Sequence, residues 1–146
     1  MKQRFYFDTS VFGGVFYTEF EADSVPLFDK VKSGEITCVY SELTVGELQN
    51  APQKVRDFLT ALAKEYAQHT EYLEITDEVF ALAHQYLAEK VVGATSFDDC
   101  LHIAMATINK ADLLVSWNFK HIVNIYRIRG YNSVNIRQGY APLEIR

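Results

Sequence analysis

Apolar residues recur along the chain with two spacings, and each spacing predicts one kind of element. Short runs that are apolar or β-branched predict buried strands, whereas apolar positions that return every third or fourth residue predict helices. The strand-like runs cover residues 3–7, 35–40, 71–75, 111–117 and 133–136. Helical spacing covers residues 23–32, 42–51, 53–67, 76–89 and 97–110; residues 91–96 and 118–130 are predicted as loops, the second with a helical turn.

Small and polar residues set the predicted boundaries of these elements. Ser24, Ser41 and Thr76 each stand where a helix is predicted to begin, and their side chains can cap the first turn. Gly13 and Gly14 predict a turn with unusual backbone angles or a close approach by another group. Because strands alternate with helices, the pattern predicts an α/β fold with a mainly parallel sheet and helices on both faces.

Length and composition are those of one soluble globular unit. The chain has 146 residues, 49% of them hydrophobic and 23% charged, and it contains neither a repeat nor a linker. Residues 1–146 are therefore predicted to form a single domain. The segment from Leu101 to Ile108 is apolar nearly all round, which predicts a helix buried in the middle of that domain.

Charge is unevenly distributed, and this narrows the classes of partner. The formal net charge is −5, from 14 Lys and Arg against 19 Asp and Glu. Residues 117–146 hold five of these basic residues and one of the acids, so this segment carries +4 and the remainder −9. The acidic average argues against a protein that grips nucleic acid over its whole surface, but leaves room for a basic rim beside an acidic pocket.

The cysteines and the longest apolar runs bear on location and metal chemistry. Cys38 and Cys100 belong to no Cys/His cluster, so a zinc site is not expected, and both are typical of buried thiols in a reducing compartment. The first apolar run stops at Asp8, too early for a signal peptide, and no later run approaches ~20 apolar residues. We therefore expect a cytoplasmic protein with no membrane segment.

Polar side chains follow two strands of the predicted sheet. Asp8 comes directly after the first strand, and Asn118 follows the strand at residues 111–117, with Ser116 two residues earlier. In an open parallel sheet the ligand crevice lies at the carboxyl ends of the strands, so we expect these side chains in that crevice.

Two predicted helices add further acids. Glu47 follows Gly46, a mid-helix glycine that predicts a close approach to the backbone, and Asp98 and Asp99 lie in the first turn of the buried helix. Crowded carboxylates repel one another unless a cation lies between them, and Mg²⁺ or Mn²⁺ suits an all-oxygen site.

Each of these residues also has a purely structural explanation. Asp8, which precedes two hydroxyl residues, is a typical turn former. Asp99 stands three residues after Ser96, which resembles a capping box. Glu47 is compatible with an ordinary solvent-facing position, and His102, in so apolar a helix, is most simply a satisfied semi-buried residue.

The order of four segments nevertheless matches a known pattern. "FYFDTSVF", "SELTVGEL", "FDDCLHIAMA" and "DLLVSWNFKHI" resemble, in that order and over nearly the whole chain, the four acidic-site motifs of PIN-domain ribonucleases, and the chain is similar to the VapC-type toxins of toxin-antitoxin pairs. The resemblance implies a PIN-like three-layer α/β/α fold, a cytoplasmic endoribonuclease that depends on Mg²⁺ or Mn²⁺, an RNA substrate and a small antitoxin partner. The family often dimerises, so a homodimer is a further expectation.

The same resemblance assigns roles residue by residue. Asp8, Glu47 and Asp99 look like the three metal-binding catalytic acids, and Asp98 is a neighbour that can assist them. Asn118 stands where many family members have a fourth acid, and it contributes an oxygen without a charge. The remaining expectations concern substrate: Thr9, Ser10, Ser116, Lys120, His121 and Arg127 as contacts to RNA, and Trp117, Tyr126 or Tyr131 for stacking on bases.

Two other functions stay open at this point. One is a catalytically weakened RNA-binding or regulatory protein that keeps the PIN fold, because Asn118 replaces the fourth acid. The other is a phosphatase with an aspartyl nucleophile after the first strand. That class usually needs a second Asp two residues later, where this chain has Ser10, so we rank it below the nuclease.

Overall fold

A parallel four-stranded sheet forms the centre of the computed structural model, which describes residues 2–90 and 96–146. The strands lie in the order β3-β2-β1-β4, and every neighbouring pair is parallel. Their bounds are β1 Gln3–Phe7, β2 Ile36–Ser41, β3 Thr70–Leu73 and β4 Leu113–Val115. The predicted α/β class with a mainly parallel sheet is confirmed.

Helices cover both faces of this sheet. They are α1 Thr9–Gly14, α2 Thr18–Lys32, α3 Glu42–Leu48, α4 Gln53–Glu65, α5 Asp77–Ala88, α6 Phe97–Ile108 and α7 Ile125–Arg137. One buried cluster joins α5, α6 and α7 to one face, and a second joins α1, α2 and α4 to the other. Tyr6 and Phe7 lie side by side on β1 and enter opposite clusters, because successive strand residues point to opposite faces.

The predicted central helix is α6. Every residue from Cys100 to Thr107 is buried, which fits the apolar character of this segment on all sides. Ser96 is the N-cap of α6, and its Oγ accepts a hydrogen bond from Asp99 N at 3.1 Å. The helix therefore begins one residue before the two acids, so its first turn carries Asp98 and Asp99 at a fixed place on the domain.

The C-terminal segment differs from the prediction. Residues 133–136, predicted as a strand, lie within α7. Ile128, Tyr131 and Val134 follow one another at helical spacing, and this longer period outweighs the β-like composition of a four-residue window. Asn135 is buried because its side chain has polar partners, among them the hydroxyl of Tyr86, which donates to Asn135 Oδ1 at 2.5 Å.

One helix start was predicted imprecisely. α2 begins at Thr18, so Ser24 is an interior residue of that helix rather than its cap, and its Oγ donates to Val11 O at 3.2 Å. Ser41 and Thr76 do stand at the N-caps of α3 and α5, as predicted. Of the loop predicted at residues 91–96, positions 91–95 lie outside the described residues.

Both cysteines are buried thiols, as the sequence predicts. Cys38 and Cys100 are both free and buried, and burial raises the pKa of each thiol. Within residues 2–90 and 96–146, no helix combines the length and the apolar character needed to cross a membrane.

The glycines at positions 14 and 46 give opposite predictions for substitution by alanine. A Cβ at Gly14 would lie 2.3 Å from Ser24 Oγ and 2.7 Å from Trp117 Nε1, so Gly14→Ala is expected to lose about 1–3 kcal/mol of stability. At Gly46, in α3, no described atom lies within 4 Å of the added carbon, and Gly46→Ala should gain about 0.5–1 kcal/mol. Urea unfolding of both variants measures this difference, and equal midpoints would contradict it.

Candidate active site

The carboxyl ends of β1 and β4 bring two of the predicted site residues together. Asp8 N donates to Val115 O at 2.9 Å, which continues the pairing of the two strands beyond β1. Ser116 directly follows β4, and its Oγ donates to Asp8 Oδ2 at 2.9 Å. These neighbouring ends of parallel strands are where an α/β sheet places its crevice.

The carboxylate of Asp8 is held in one orientation. Asp8 is only 6% exposed, and Oδ2 also accepts a hydrogen bond from Ser10 Oγ at 2.8 Å. Two hydroxyl donors on one oxygen offset the cost of burying a charged carboxylate. The other oxygen, Oδ1, lies 3.5 Å from His102 Nε2.

Asp99 contributes a second acid from the first turn of α6. It is half-buried, whereas its neighbour Asp98 is exposed. Burial raises the pKa of Asp99, and the charge of Asp8 adds to the increase. Asp8 and Asp99, 91 positions apart in the chain, therefore lie near enough in the folded protein for the charge of one to affect the pKa of the other.

The carboxylate of Glu47, in α3, is held by two donors. Its Oε1 lies 2.5 Å from His102 Nε2 and accepts a hydrogen bond from Thr9 Oγ1 at 2.7 Å. Burial alone would raise the pKa of Glu47, but the hydrogen bonds from His102 and Thr9 outweigh it and lower the pKa below its ordinary value.

His102 is the centre of a buried chain of hydrogen bonds. Its ring is 1% exposed, and Nδ1 lies 2.7 Å from the hydroxyl of Tyr6, which lies 2.8 Å from Ser41 Oγ. Because the ionised Glu47 can only accept, Nε2 must carry a proton. The hydroxyls of Tyr6 and Ser41 can reverse their direction, so they accommodate both the neutral and the charged ring.

A titration of His102 by NMR tests this network. Burial disfavours the imidazolium, but the contacts with Tyr6, Glu47 and Asp8 outweigh it, so the pKa of His102 should lie well above 6.5. In Glu47→Gln it should fall, because the neighbouring charge is removed. A His102 pKa at or below 6.5 in the metal-free wild type would show that the network is wrong.

The same shifts set the pH window of the stability contribution from this pair. Because the pKa of His102 is raised on folding, its contribution to stability is fully present below pH 6.5. That contribution is lost as the pH rises through the pKa of His102 in the folded protein. Because the pKa of Glu47 is lowered on folding, its contribution to stability is fully present above pH 4.5. That contribution is lost as the pH falls through the pKa of Glu47 in the folded protein. The full contribution therefore lies between pH 4.5 and 6.5.

Asn118 is linked to Asp8 through Ser116, but it uses its side chain within its own turn. Its Oδ1 accepts a hydrogen bond from His121 N at 3.0 Å, and its N–H donates to Ser116 Oγ at 2.9 Å. The amide oxygen at the position of the family's fourth acid thus has a local structural role, like that of an Asx turn.

The predicted substrate contacts fall into two groups. The hydroxyls of Thr9, Ser10 and Ser116 are donated to carboxylates, so here they orient the acids. The basic group consists of Lys120, which is exposed, and His121 and Arg127, which are half-buried. His121 lies close enough to influence the pKa of Asp99, and its Nδ1 is buried without a hydrogen-bond partner in the described part of the chain.

Sequence reasoning missed two members of the site's framework. Tyr6 and Ser41 are fully buried polar residues on the neighbouring strands β1 and β2, and together they hold His102. The available signal was the rule that a buried Tyr hydroxyl needs a partner. Without the register of β1 and β2, that rule does not say which partner it finds.

The donors fit a hard cation in kind. Carboxylate and hydroxyl oxygens predominate, as Mg²⁺ and Mn²⁺ prefer. Among residues 2–90 and 96–146, no three His, Cys, Asp or Glu side chains are already arranged to hold a metal ion, and Glu47 is directed to His102. Asp8 and Asp99 are therefore the two acids available to a metal ion, and the carboxylate of Glu47 would have to turn away from His102 to join them.

Comparison with known families decides the classification of this fold. The model of the PIN domain matches residues 4–120, a span that includes Asp8, Glu47, Asp99 and Asn118. The chain belongs to the PIN-domain family. The suspected membership, and with it the PIN-like fold, is confirmed. A search of curated proteins finds no significant match to the chain.

Solved structures of PIN proteins share the fold at low identity. The DNA-bound VapBC of Salmonella typhimurium has a TM-score of 0.60 and 13% identity, and the match covers 100% of this chain and 98% of that chain. VapC20 of Mycobacterium tuberculosis, a toxin that cleaves the sarcin-ricin loop, has a TM-score of 0.61 and 16% identity, and the match covers 80% of this chain and 92% of that chain. VapBC2 of Rickettsia felis, bound to a promoter DNA fragment, has a TM-score of 0.58 and 14% identity, and the match covers 99% of this chain and 98% of that chain. The likeness establishes the VapC-like fold.

Proposed function

We propose that this PIN-domain protein is a metal-dependent endoribonuclease and the toxin of a toxin-antitoxin pair. One observation carries the proposal: at the crevice end of the sheet, the buried carboxylate of Asp8 is oriented by Ser10 and Ser116, and the half-buried Asp99 of α6 lies near enough for the charge of Asp8 to raise its pKa. Such a pair lowers its repulsion by binding a cation. RNA as the substrate follows from the family rather than from these two residues.

The cofactor that we propose is Mg²⁺ or Mn²⁺, held by Asp8 and Asp99 with Glu47 as a third ligand. When bound, it would supply a water of lowered pKa and positive charge for the transition state. The protein's own contribution is orientation: Ser10 and Ser116 fix the carboxylate of Asp8. Thr9 and His102 hold the carboxylate of Glu47, which would have to leave His102 to join the metal. Asp98 is exposed and remains a candidate helper.

The test is a cleavage assay with the metal-stripped full-length protein and a 5′-labelled single-stranded RNA. We expect cleavage on addition of Mn²⁺ and none in EDTA. Attack by water should leave a 5′-phosphate and a 3′-hydroxyl. Cleavage in EDTA, or a 2′,3′-cyclic phosphate, would show that the ribose hydroxyl attacks, and it would overturn the metal-dependent mechanism.

The proposed partners are RNA, a small antitoxin protein and a second copy of the chain. Support for the antitoxin comes from the similar VapBC assemblies, which are pairs rather than single chains. We expect expression of this chain alone to arrest growth, and co-expression of the adjacent small reading frame to restore it. Full growth with the chain alone would contradict the toxin role, and cleavage in the assay above would still support the nuclease.

The local use of Asn118 favours a second candidate function. Asn118 is uncharged, so the site has one charged ligand fewer than many PIN domains, and its Oδ1 already accepts a hydrogen bond from His121 N. A weakened RNA-binding or regulatory protein would bind the RNA of the same assay without cutting it. Asn118→Asp separates the candidates, since it would raise cleavage in such a protein.

A further inference from the structure

Three aromatic rings form a cluster next to the candidate acids. The rings of Phe20 and Trp117 stack with centroids 5.9 Å apart and an interplanar angle of 5°. The ring of Phe119 lies 6.4 Å from each of them. Phe119 is 56% exposed, while the other two rings are half-buried. The cluster therefore has one solvent-exposed ring, that of Phe119, packed against two half-buried rings.

The cluster and Asp8 are fixed by the same hydroxyl. Trp117 N donates to Ser10 Oγ at 3.0 Å, and the same Oγ donates to Asp8. On its other side, Trp117 Nε1 donates to Ser24 Oγ at 2.8 Å. Because the backbone of Trp117 shares this anchor with the carboxylate proposed to bind the metal, Trp117 has a defined position relative to Asp8, which is what a positioning contact requires.

The chemistry next to Phe119 suits a nucleic-acid strand. Phe119 lies three positions after Ser116, so their Cα atoms are within about 11 Å of each other. Since Ser116 contacts Asp8, a nucleotide next to the phosphate that is cut can reach the ring of Phe119. Lys120 follows Phe119 and is exposed, within the segment that carries +4 against −9 elsewhere. An aromatic face beside a cation is how proteins bind unpaired bases with their phosphates.

The stacking residues predicted from sequence are corrected by burial. Tyr131 is fully buried, so its ring cannot meet a base. Trp117 is half-buried beneath the cluster, and Tyr126 is exposed on α7 outside it. Phe119, which the sequence analysis did not single out, is the exposed ring of the cluster, and Trp117 of that cluster is linked to Asp8 through Ser10.

We propose that Phe119, supported by Trp117 and Phe20, is a stacking platform for an unpaired nucleobase next to the phosphate that is cut, with Lys120 on a flanking phosphate. This inference rests on the proposed nuclease function and adds to it a requirement for a single-stranded substrate at this point. It assigns Phe119 a role in positioning and none in the chemical step.

The test uses the full-length protein in EDTA, so that the RNA is bound and not cut. Trp117 is the one tryptophan of the chain, and we expect its fluorescence to change when an 8-nucleotide single-stranded RNA binds. By anisotropy of labelled RNA, Phe119→Ala should raise the Kd about 5- to 150-fold, and Phe119→Tyr should restore it. Ile136→Ala, which truncates a side chain 60% exposed on α7, is the matched control and should bind as the wild type does.

The salt dependence of binding gives an independent measurement. Lys120→Ala should reduce the slope of log Kd against log salt by about 0.7, the value for one contact to a phosphate of a single strand. Phe119→Ala should leave this slope unchanged, because stacking releases no counterion.

Four results would overturn the platform: no RNA binding by the wild type, wild-type affinity in Phe119→Ala, an equal loss in Ile136→Ala, or a Phe119→Ala defect confined to antitoxin binding. Failure of the nuclease proposal has a different signature. In that case the RNA still binds and alters Trp117 fluorescence, and Mn²⁺ produces no cleavage.

Discussion

Asp8→Asn is expected to lower RNA cleavage by about 10³-fold or more while the protein stays folded. The carboxylate is buried and oriented by two hydroxyls, and a metal ion at such a site stabilises the transition state by several kcal/mol, each ~1.4 of which is worth tenfold in rate. Asn keeps the shape of the side chain and removes the charge that the cation requires.

The stability of this variant serves as its internal control. Asp8→Asn also removes the charge that helps raise the pKa of Asp99, so the midpoint of thermal unfolding should stay the same or rise. Cleavage within about tenfold of the wild type, in a protein that is folded by circular dichroism, would exclude Asp8 as a metal ligand.

The second large effect is expected at Asp99, where the chain provides its own matched control. Asp99→Asn should reduce cleavage by about 100-fold or more, because Asp99 is the half-buried acid that interacts with Asp8. Asp98→Asn changes the same charge one residue earlier on the same helix turn, but its side chain is exposed. We expect Asp98→Asn to alter cleavage by less than about threefold, as for most surface changes.

The pH profile of the wild type adds a test of the same acids. Because burial and Asp8 raise the pKa of Asp99, protons should compete with the metal at a higher pH than an ordinary Asp permits.

Equal losses of cleavage in the Asp98→Asn and Asp99→Asn variants would mean that both acids act through general charge, and the assignment of Asp99 would be wrong.

Local rules in the sequence predicted the framework well. The caps at Ser41 and Thr76, the strand that ends before Asp8 and the buried helix at residues 97–108 each depend on contacts within a few residues. Such features are specified by spacing and by side-chain chemistry, which a single sequence contains.

Features that depend on tertiary contacts could not be obtained in that way. Residues 133–136 carry β-forming residues, but they pack as helix α7 against α5, where Tyr86 binds Asn135. The direction of Glu47 toward His102 depends on the approach of α3 to α6. No spacing within either helix contains that information, so the sequence predicted the acids and not the partner that holds Glu47.

Gly46 shows the same limit in a single residue. A mid-helix glycine predicts that another group approaches the backbone, but no described atom lies within 4 Å of a Cβ built there. The close approach occurs instead at Gly14, beneath Ser24 and Trp117. Both glycines are open to the same interpretation in sequence, and only the packing of α1 against α2 distinguishes them.

The most direct test of the proposed metal site is Mn²⁺ binding, measured by electron paramagnetic resonance of the metal-stripped protein. The wild type should bind Mn²⁺, Asp98→Asn should bind it with similar affinity, and Asp8→Asn should lose it. Mn²⁺ binding of equal affinity and stoichiometry in the wild type and Asp8→Asn would contradict the claim that Asp8 anchors the metal site of this PIN domain.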